Sequence, residues 1–351
     1  MSGSGRTRTR TSALSSCVAL VALLAGGCAV GTGDDKKRAG ELAERLYPGQ
    51  LRVLGARTLF PQTTGSEVTF AVKDDPDAVV RLRIDGKKKT CERKSCEDAL
   101  VKAVAQGRRQ AAEFRLLRSS LERCGHQIIA LGPPVGEPWI VMSLSNENVT
   151  AVLDELGRCA ARWSKALTAN GSPPRSDGSY GLPAGSRALR VRIVRPDVAR
   201  GRPAEGSGPA MARLTSTRLQ AALAKKTYFT AAFTVRDDRD EPVTSGLAVS
   251  RSYEDREAFG RRVQAAVGER LRAERPNAKV TDYVGVWRLE PGRIDRLTGY
   301  VLFCEGPEQG RTCLGDHAVR VTVDERGTPV SGLTIVENVR EGNGPLRLPQ
   351  N

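Results

Sequence analysis

Histidine is nearly missing from this sequence: there are two, His126 and His317, in 351 residues. A Ser-His-Asp site needs one of them as base. Asp316 and His317 are neighbours in a turn-like stretch, and adjacent residues seldom meet as acid and base. The G-x-S-x-G, H-E-x-x-H and P-loop spacings are all lacking. Aromatics are sparse at 5%, too few for a row of base-stacking platforms. No apolar run is long enough to span a bilayer. The longest covers residues 13–27 and reaches about 22 Å as a helix, against a hydrocarbon core of roughly 30 Å.

That short run has the order of an export signal. Arg6, Arg8 and Arg10 precede it with no acidic residue, and it closes on the small residues Ala25, Gly26 and Gly27 before Cys28. Small residues suit a peptidase that must take the chain extended. The run Ala25-Gly26-Gly27-Cys28 resembles the lipobox of bacterial lipoproteins. The family prefers Leu three positions before the cysteine. Here Ala25 holds that position and Leu24 sits one step further back. The resemblance covers about thirty residues. It implies a diacylglycerol on the Cys28 sulfur, a further acyl chain such as palmitate, and attachment to the outer face of the cell membrane. Two acyl chains make a stable anchor, because each buried CH₂ contributes about 0.8 kcal/mol. The Arg-, Ala- and Gly-rich usage resembles that of high-GC actinomycete proteins.

The remaining cysteines fit an exported chain. Cys17 lies in the signal and Cys28 takes the lipid, which leaves Cys91, Cys96, Cys124, Cys159, Cys304 and Cys313. An even set outside the cytoplasm reads as disulfides, and six cysteines allow fifteen pairings. Neighbourhood favours Cys91–Cys96, Cys124–Cys159 and Cys304–Cys313. Zinc fits poorly, because Cys91-x4-Cys96 with His126 has no second pair at zinc spacing.

The signal holds three of the 55 basic residues and no acidic one, so residues 28–351 carry 52 against 40, a net +12. The excess is spread along the chain: residues 29–165 hold 23 basic and 18 acidic, 166–209 hold 7 and 3, and 210–351 hold 22 and 19. A dispersed excess suits weak attraction to anionic lipid or wall polymer. Export also argues against a nucleic-acid partner, and none is expected.

Two small α+β units, each a helix-and-antiparallel-sheet domain, are expected over residues 36–168 and 188–340. Before them come the signal (1–27) and the lipidated cysteine with its tether (28–35). Between them runs a Gly-, Ser- and Pro-rich linker (169–187), and a frayed tail (341–351) follows. A helix near 36–46 leads to strands near 51–60, 67–72 and 78–84. Arg81 and Arg83 alternate with Val80, Leu82 and Ile84, so one face of that last strand should be wet. Ser95 caps the longest helix, whose apolar stripe runs from Leu100 to Cys124. Its other face carries Lys102, Arg108, Arg109, Arg115 and Arg118, either a solvated side or a basic surface for lipid heads. Two strands and a helix from Asn148 complete the first unit. A strand at 188–194, a helix near 210–225, strands at 228–235 and 246–250, and a helix capped by Ser252 open the second. Strands near 280–289 and 299–304 and a hairpin at 318–336 close it. Helix, strands, capped helix and strand pair thus occur twice. Tandem duplication and chance similarity explain this equally well.

The run Asp237-Asp238-Arg239-Asp240-Glu241 lacks the spaced oxygens and glycine of a calcium loop and reads as a hairpin turn. No cofactor or metal is expected, and no catalytic residue is assigned. The expected role is non-catalytic binding or interaction in the cell envelope. The alternative is an envelope hydrolase with a carboxylate pair, which proximity in space can build without any motif.

Overall fold

The computed structural model describes residues 32–59, 64–85, 88, 90–91, 95–132, 135–172, 185–203, 208–236, 243–284, 287–306, 314–340 and 344–349. These form an α+β protein that divides into two compact units. One comprises residues 32–73 with 80–104, the other 74–79 with 105–349.

The first unit begins with α1 (Gly33–Leu46), whose Ala39, Leu42 and Ala43 are buried. Asp34 and Asp35 occupy its first turn, where the helix dipole favours negative charge. Asp35 is buried and accepts a hydrogen bond from Ser66 Oγ at 2.6 Å. The helix packs on β1 (Leu51–Thr58) and β2 (Ser66–Val72). These join β3 (Asp75–Ile84) in a sheet of order β1-β2-β3, with β1 and β2 antiparallel. Cys91 and Cys96 form a disulfide, with Cα atoms 4.9 Å apart, at the start of α2 (Cys96–Glu122). Asp98 N donates to Ser95 Oγ at 3.4 Å, a long capping bond at that helix start.

In the second unit, β4 (Ile128–Gly132), β5 (Glu137–Val141), β6 (Ser186–Val194), β7 (Tyr228–Arg236) and β8 (Val243–Ser250) form one sheet in chain order. Every pairing is antiparallel except β5 with β6, which is parallel. Between these two strands lies α3 (Val149–Ala169), stapled by Cys124–Cys159, whose Cα atoms are 6.4 Å apart. Such a closed loop contributes about 3 kcal/mol in the chain-entropy picture. Three short helices follow β6 in sequence: α4 (Pro196–Arg200), α5 (Ala210–Leu214) and α6 (Thr217–Ala224). Ala199 of α4 and Leu219 and Leu223 of α6 pack with Trp139, Val194 and Tyr228 on one side of the sheet.

A second sheet is built from β9 (Ala278–Val284), β10 (Arg288–Leu289), β11 (Arg296–Glu305), β12 (His317–Asp324) and β13 (Thr334–Val336). Its order is β10-β11-β12-β13, and β9 also pairs with β11. The amphipathic helix α7 (Tyr253–Glu274) lays Phe259, Val263, Val267 and Leu271 on Val301, Phe303, Val319 and Val321. Ser252 Oγ caps it by accepting from Asp255 N at 3.1 Å. Gly299 lies under the Trp287 ring, where a Cβ would come within 2.6 Å of ring carbons. Any side chain there would push the indole off the core.

Several expectations change. The boundary at 169–187 does not separate two cores. β5 and β6 pair across it, so the strands expected in separate domains share one sheet. Asn146 Oδ1 also accepts from Ile294 N at 2.9 Å, tying the loop before α3 to the C-terminal sheet. Duplication finds no support in this arrangement. The helix expected over 210–225 breaks at Thr215–Ser216. Thr215 Oγ1 donates back to Met211 O at 2.6 Å and Ser216 is extended, with ψ 124°. The second hairpin strand shrinks to three residues. Arg270 instead donates to the carbonyls of Pro329 and Ser331 at 3.1 and 3.2 Å. The expected frayed tail is docked over 344–349: Leu346 and Leu348 pack with Tyr300, Leu302 and Ala318. Tyr300 Oη donates to Pro349 O at 3.2 Å, and Arg347 N to Val339 O at 2.7 Å.

Residues 29–168 produced alone would leave Trp139 and Ile140 without their β6 neighbours. The expected outcome is loss of a cooperative urea transition in that fragment, followed by circular dichroism beside the full chain. A sharp transition in the fragment would show that β5 does not need β6.

Candidate functional site

One face of the N-terminal sheet gathers several arginines. Directly paired residues on antiparallel strands share a face. Arg52 pairs with Ala71 and Arg57 with Glu67, and Ala71 and Glu67 are four apart on β2, on one side. Arg52 and Arg57 are five apart, an odd step that would send them to opposite faces of a regular strand. The register shift between Val53 and Gly55 supplies the extra residue that returns them to the same face. On β3, Arg81 and Arg83 are exposed while Val80, Leu82 and Ile84 are buried. Arg83 lies 3.6 Å from Glu67 Oε2, which places the β3 arginines on that face too.

Ser66, Val68, Phe70 and Val72 point the other way, toward α1, because Ser66 bonds Asp35 of that helix. The arginine face thus carries Arg52, Arg57, Arg81 and Arg83, with Glu67 between Arg57 and Arg83. Arg57 Nε donates to Glu67 Oε1 at 3.0 Å. The Glu67 side chain is only 9% exposed, whereas those of Arg57 and Arg83 are 60% and 55% exposed. The stems cover the carboxylate and the guanidinium ends reach water.

The basic stripe of α2 is a different case. Arg108 Nη2 donates to Asp74 at 2.9 Å and Arg115 Nη1 to Asp75 at 2.7 Å, and Arg118 lies 3.8 Å from Asp77. Hydrogen bonding to Asp75 raises the Arg115 pKa further. Three of its five cations are therefore matched to the acidic turn ahead of and within β3.

A third cluster sits on the five-stranded sheet. Arg192 donates to Glu137 Oε2 at 2.7 Å and stacks 5.0 Å above the Trp139 ring, with Arg190 3.7 Å from the same carboxylate. The parallel pairing of β5 with β6 creates it, so sequence spacing held no sign of it.

Neither histidine is arranged for catalysis. His126 Nε2 lies 3.2 Å from Glu155 Oε1, yet the contact is out of line for a hydrogen bond. His317 Nδ1 accepts from Asn338 N at 3.3 Å, and its ring packs on Phe303. The carboxyls with a clear shift, Glu147, Asp197, Asp295 and Glu337, are all held low. A glycosidase acid needs the opposite shift. Among the described residues no three metal-ligating side chains gather, and no helix is long and apolar enough to cross a membrane. Burial lowers the Arg251 pKa, and nearby Arg262 adds to the effect. Both donate to the turn after β12, Arg251 to Glu325 O and Arg262 to Arg326 O.

Cys304 is disulfide-bonded. Its expected partner Cys313, the expected lipid site Cys28 and the acidic run 237–241 lie outside the described residues. Non-reducing peptide mapping is expected to recover Cys304 with Cys313. A cross-link to any other cysteine would overturn that pairing.

Asp295 generates a pH prediction. Hydrogen bonds from Arg293, joined by Asn146, hold its carboxyl at about 2. An unfolded Asp titrates near 3.9, so the interaction stabilises the fold above about pH 4 and is lost as pH falls through 2. Asp295→Asn should therefore lower urea stability at neutral pH, by less than about 1 kcal/mol because the pair is partly exposed. The gap from the parent should close between about pH 4 and 2. A gap independent of pH would show that the charge is not its source.

The chain was compared with known protein families, curated proteins and solved structures, and it matches none of them.

Proposed function

We propose that this protein is an exported lipoprotein, held on the outer face of the cell membrane by a diacylglycerol on Cys28, with a non-catalytic binding role in the cell envelope. The observation that carries the reading is the apolar run closing on Ala25-Gly26-Gly27-Cys28. Bonded cysteine pairs at 91–96 and 124–159 support an oxidising compartment. A binding role is supported by the site chemistry. Residues 32–73 and 80–104 hold 15 basic against 9 acidic side chains, and the carboxyls with a clear shift are stabilised anions, poor proton donors.

The test follows Cys28→Ala beside the parent through membrane and medium fractions, with the mass of the parent's mature N-terminus. The parent should carry two or more acyl chains on Cys28 and stay with membranes, and the variant should move to the medium or accumulate uncleaved. A parent N-terminus without lipid would sink the proposal.

A further inference from the structure

The C-terminal sheet has two apolar sides. Along β11, Val301 and Phe303 pack with α7, so Tyr300 and Leu302 face the other way. With Ala318 and Val339 they form a separate cluster, each residue at most 4% exposed. The aliphatic side chains packed against this cluster are Val336, Leu346 and Leu348.

Two of those three come from residues 344–349, Gly-Pro-Leu-Arg-Leu-Pro. Exposure alternates along this segment: Gly344, Leu346 and Leu348 are half-buried, and Pro345, Arg347 and Pro349 are exposed. A period of two is the pattern of extended chain. The sequence favours it, because the residue before a proline, here Leu348, is held extended. The prolines have no N–H to give to a ladder. Bonds to the rest of the protein are accordingly few. Arg347 N donates to Val339 O at 2.7 Å, Tyr300 Oη to Pro349 O at 3.2 Å, and Arg340 Nη1 to Gly344 O at 3.2 Å.

We infer that this side of the sheet is a docking groove for an extended peptide of a partner protein with aliphatic side chains two residues apart. Residues 344–349 are its resident occupant and leave when the partner binds. This gives the binding role proposed above a ligand class, and it does not depend on the Cys28 reading. Three features point to exchange. The seat is built without the segment: β11 and β12 pair over eight residues and are backed by α7. The occupant is held as extended peptides are recognised, by main-chain hydrogen bonding and by seats for alternate side chains. A half-exposed segment with few bonds also belongs to the class that opens locally at low cost. Once open, the seat exposes Tyr300, Leu302, Ala318 and Val339 together, and a contiguous apolar patch marks an interaction site.

The experiment uses residues 28–351 and a shortened chain of residues 28–343, both with Cys28→Ser so that no lipid contributes. Each is titrated into a fluorescein-labelled peptide of residues 344–351 and followed by anisotropy. The shortened chain should keep the circular dichroism of the full one and bind saturably. The full chain should bind at least about ten-fold more weakly, because its own segment holds the seat at a high effective concentration. Leu346→Ser with Leu348→Ser in the full chain should free the seat and restore binding. A peptide with valine at both leucine places should stay within about five-fold, since each loses one half-buried CH₂. A peptide with residues 347 and 348 exchanged, which sets the leucines side by side, should bind at least about ten-fold worse, because adjacent side chains point apart. A shortened chain that unfolds, a folded one that binds no peptide, or equal binding by the full and shortened chains would each overturn the proposal. Equal binding of the exchanged peptide would do the same. So would a concentration-dependent dimer of the full chain that the shortened chain does not form, because the seat would then serve a second copy of this chain. A failed Cys28 reading would show separately, in the N-terminal mass, and leaves these titrations unaffected.

Discussion

Three backbone pairs, Trp139 with Arg192, Ile140 with Ile193 and Val141 with Val194, hold together segments more than fifty residues apart in the chain. Without them β4 and β5 would be an isolated hairpin, a structure marginal in water. With them the hairpin becomes one edge of a five-stranded sheet whose far edge leads into the C-terminal module. A long excursion between β5 and β6 costs little, because each doubling of loop length adds only about 0.6 kcal/mol. Part of that excursion is helical. It contains α3, fixed at one end by Cys124–Cys159 and at the other by Arg187, which donates to Thr168 Oγ1 at 3.1 Å. The right-handed crossover expected of parallel neighbours gives a reason for a helix at this place in the chain.

Arginine does two separate jobs in this protein, and the surroundings decide which. In the larger unit it satisfies other groups. Arg115 meets Asp75 and Asp77, Arg192 meets Glu137 and two aromatic rings, and Arg251, Arg262 and Arg270 bond backbone carbonyls after β12. Those carbonyls lie where β13 has not yet begun, and peptide oxygens there need donors. Gly327, at φ 88°, lets this turn press against Val263 and Phe259 at a distance no Cβ would allow. In the smaller unit Arg57 and Arg83 share the Glu67 carboxylate on one sheet face.

Local signals in the sequence were readable, and non-local ones were not. The caps at Ser95 and Ser252 and the stripes of α2 and α7 have their causes within a turn or two of chain, so periodicity places them. The wet side of β3 was visible in the alternation of Arg81 and Arg83 with Val80, Leu82 and Ile84. Arg52 and Arg57 could not be added to that side from sequence. Their odd spacing argues against a common face, and the bulge that reverses the argument is a property of pairing with β2. The domain boundary failed for a related reason. Residues 169–187 are rich in glycine, serine and proline, a composition that reads as loop but does not tell whether the strands on either side are neighbours.

A small sheet covered by a helix on one side must leave its other side to water or to something else. In the N-terminal unit α1 buries Val68, Phe70 and Val72 on one side. On the opposite side the paired positions of β1 and β2 are Arg52, Arg57, Glu67, Thr69 and Ala71, and the alternation of β3 adds Val79 to Arg81 and Arg83, with Ala71 and Val79 buried. Four guanidinium groups on one side repel each other. Glu67 offsets part of that cost, because it is buried beneath two of them and cannot be reached by solvent cations.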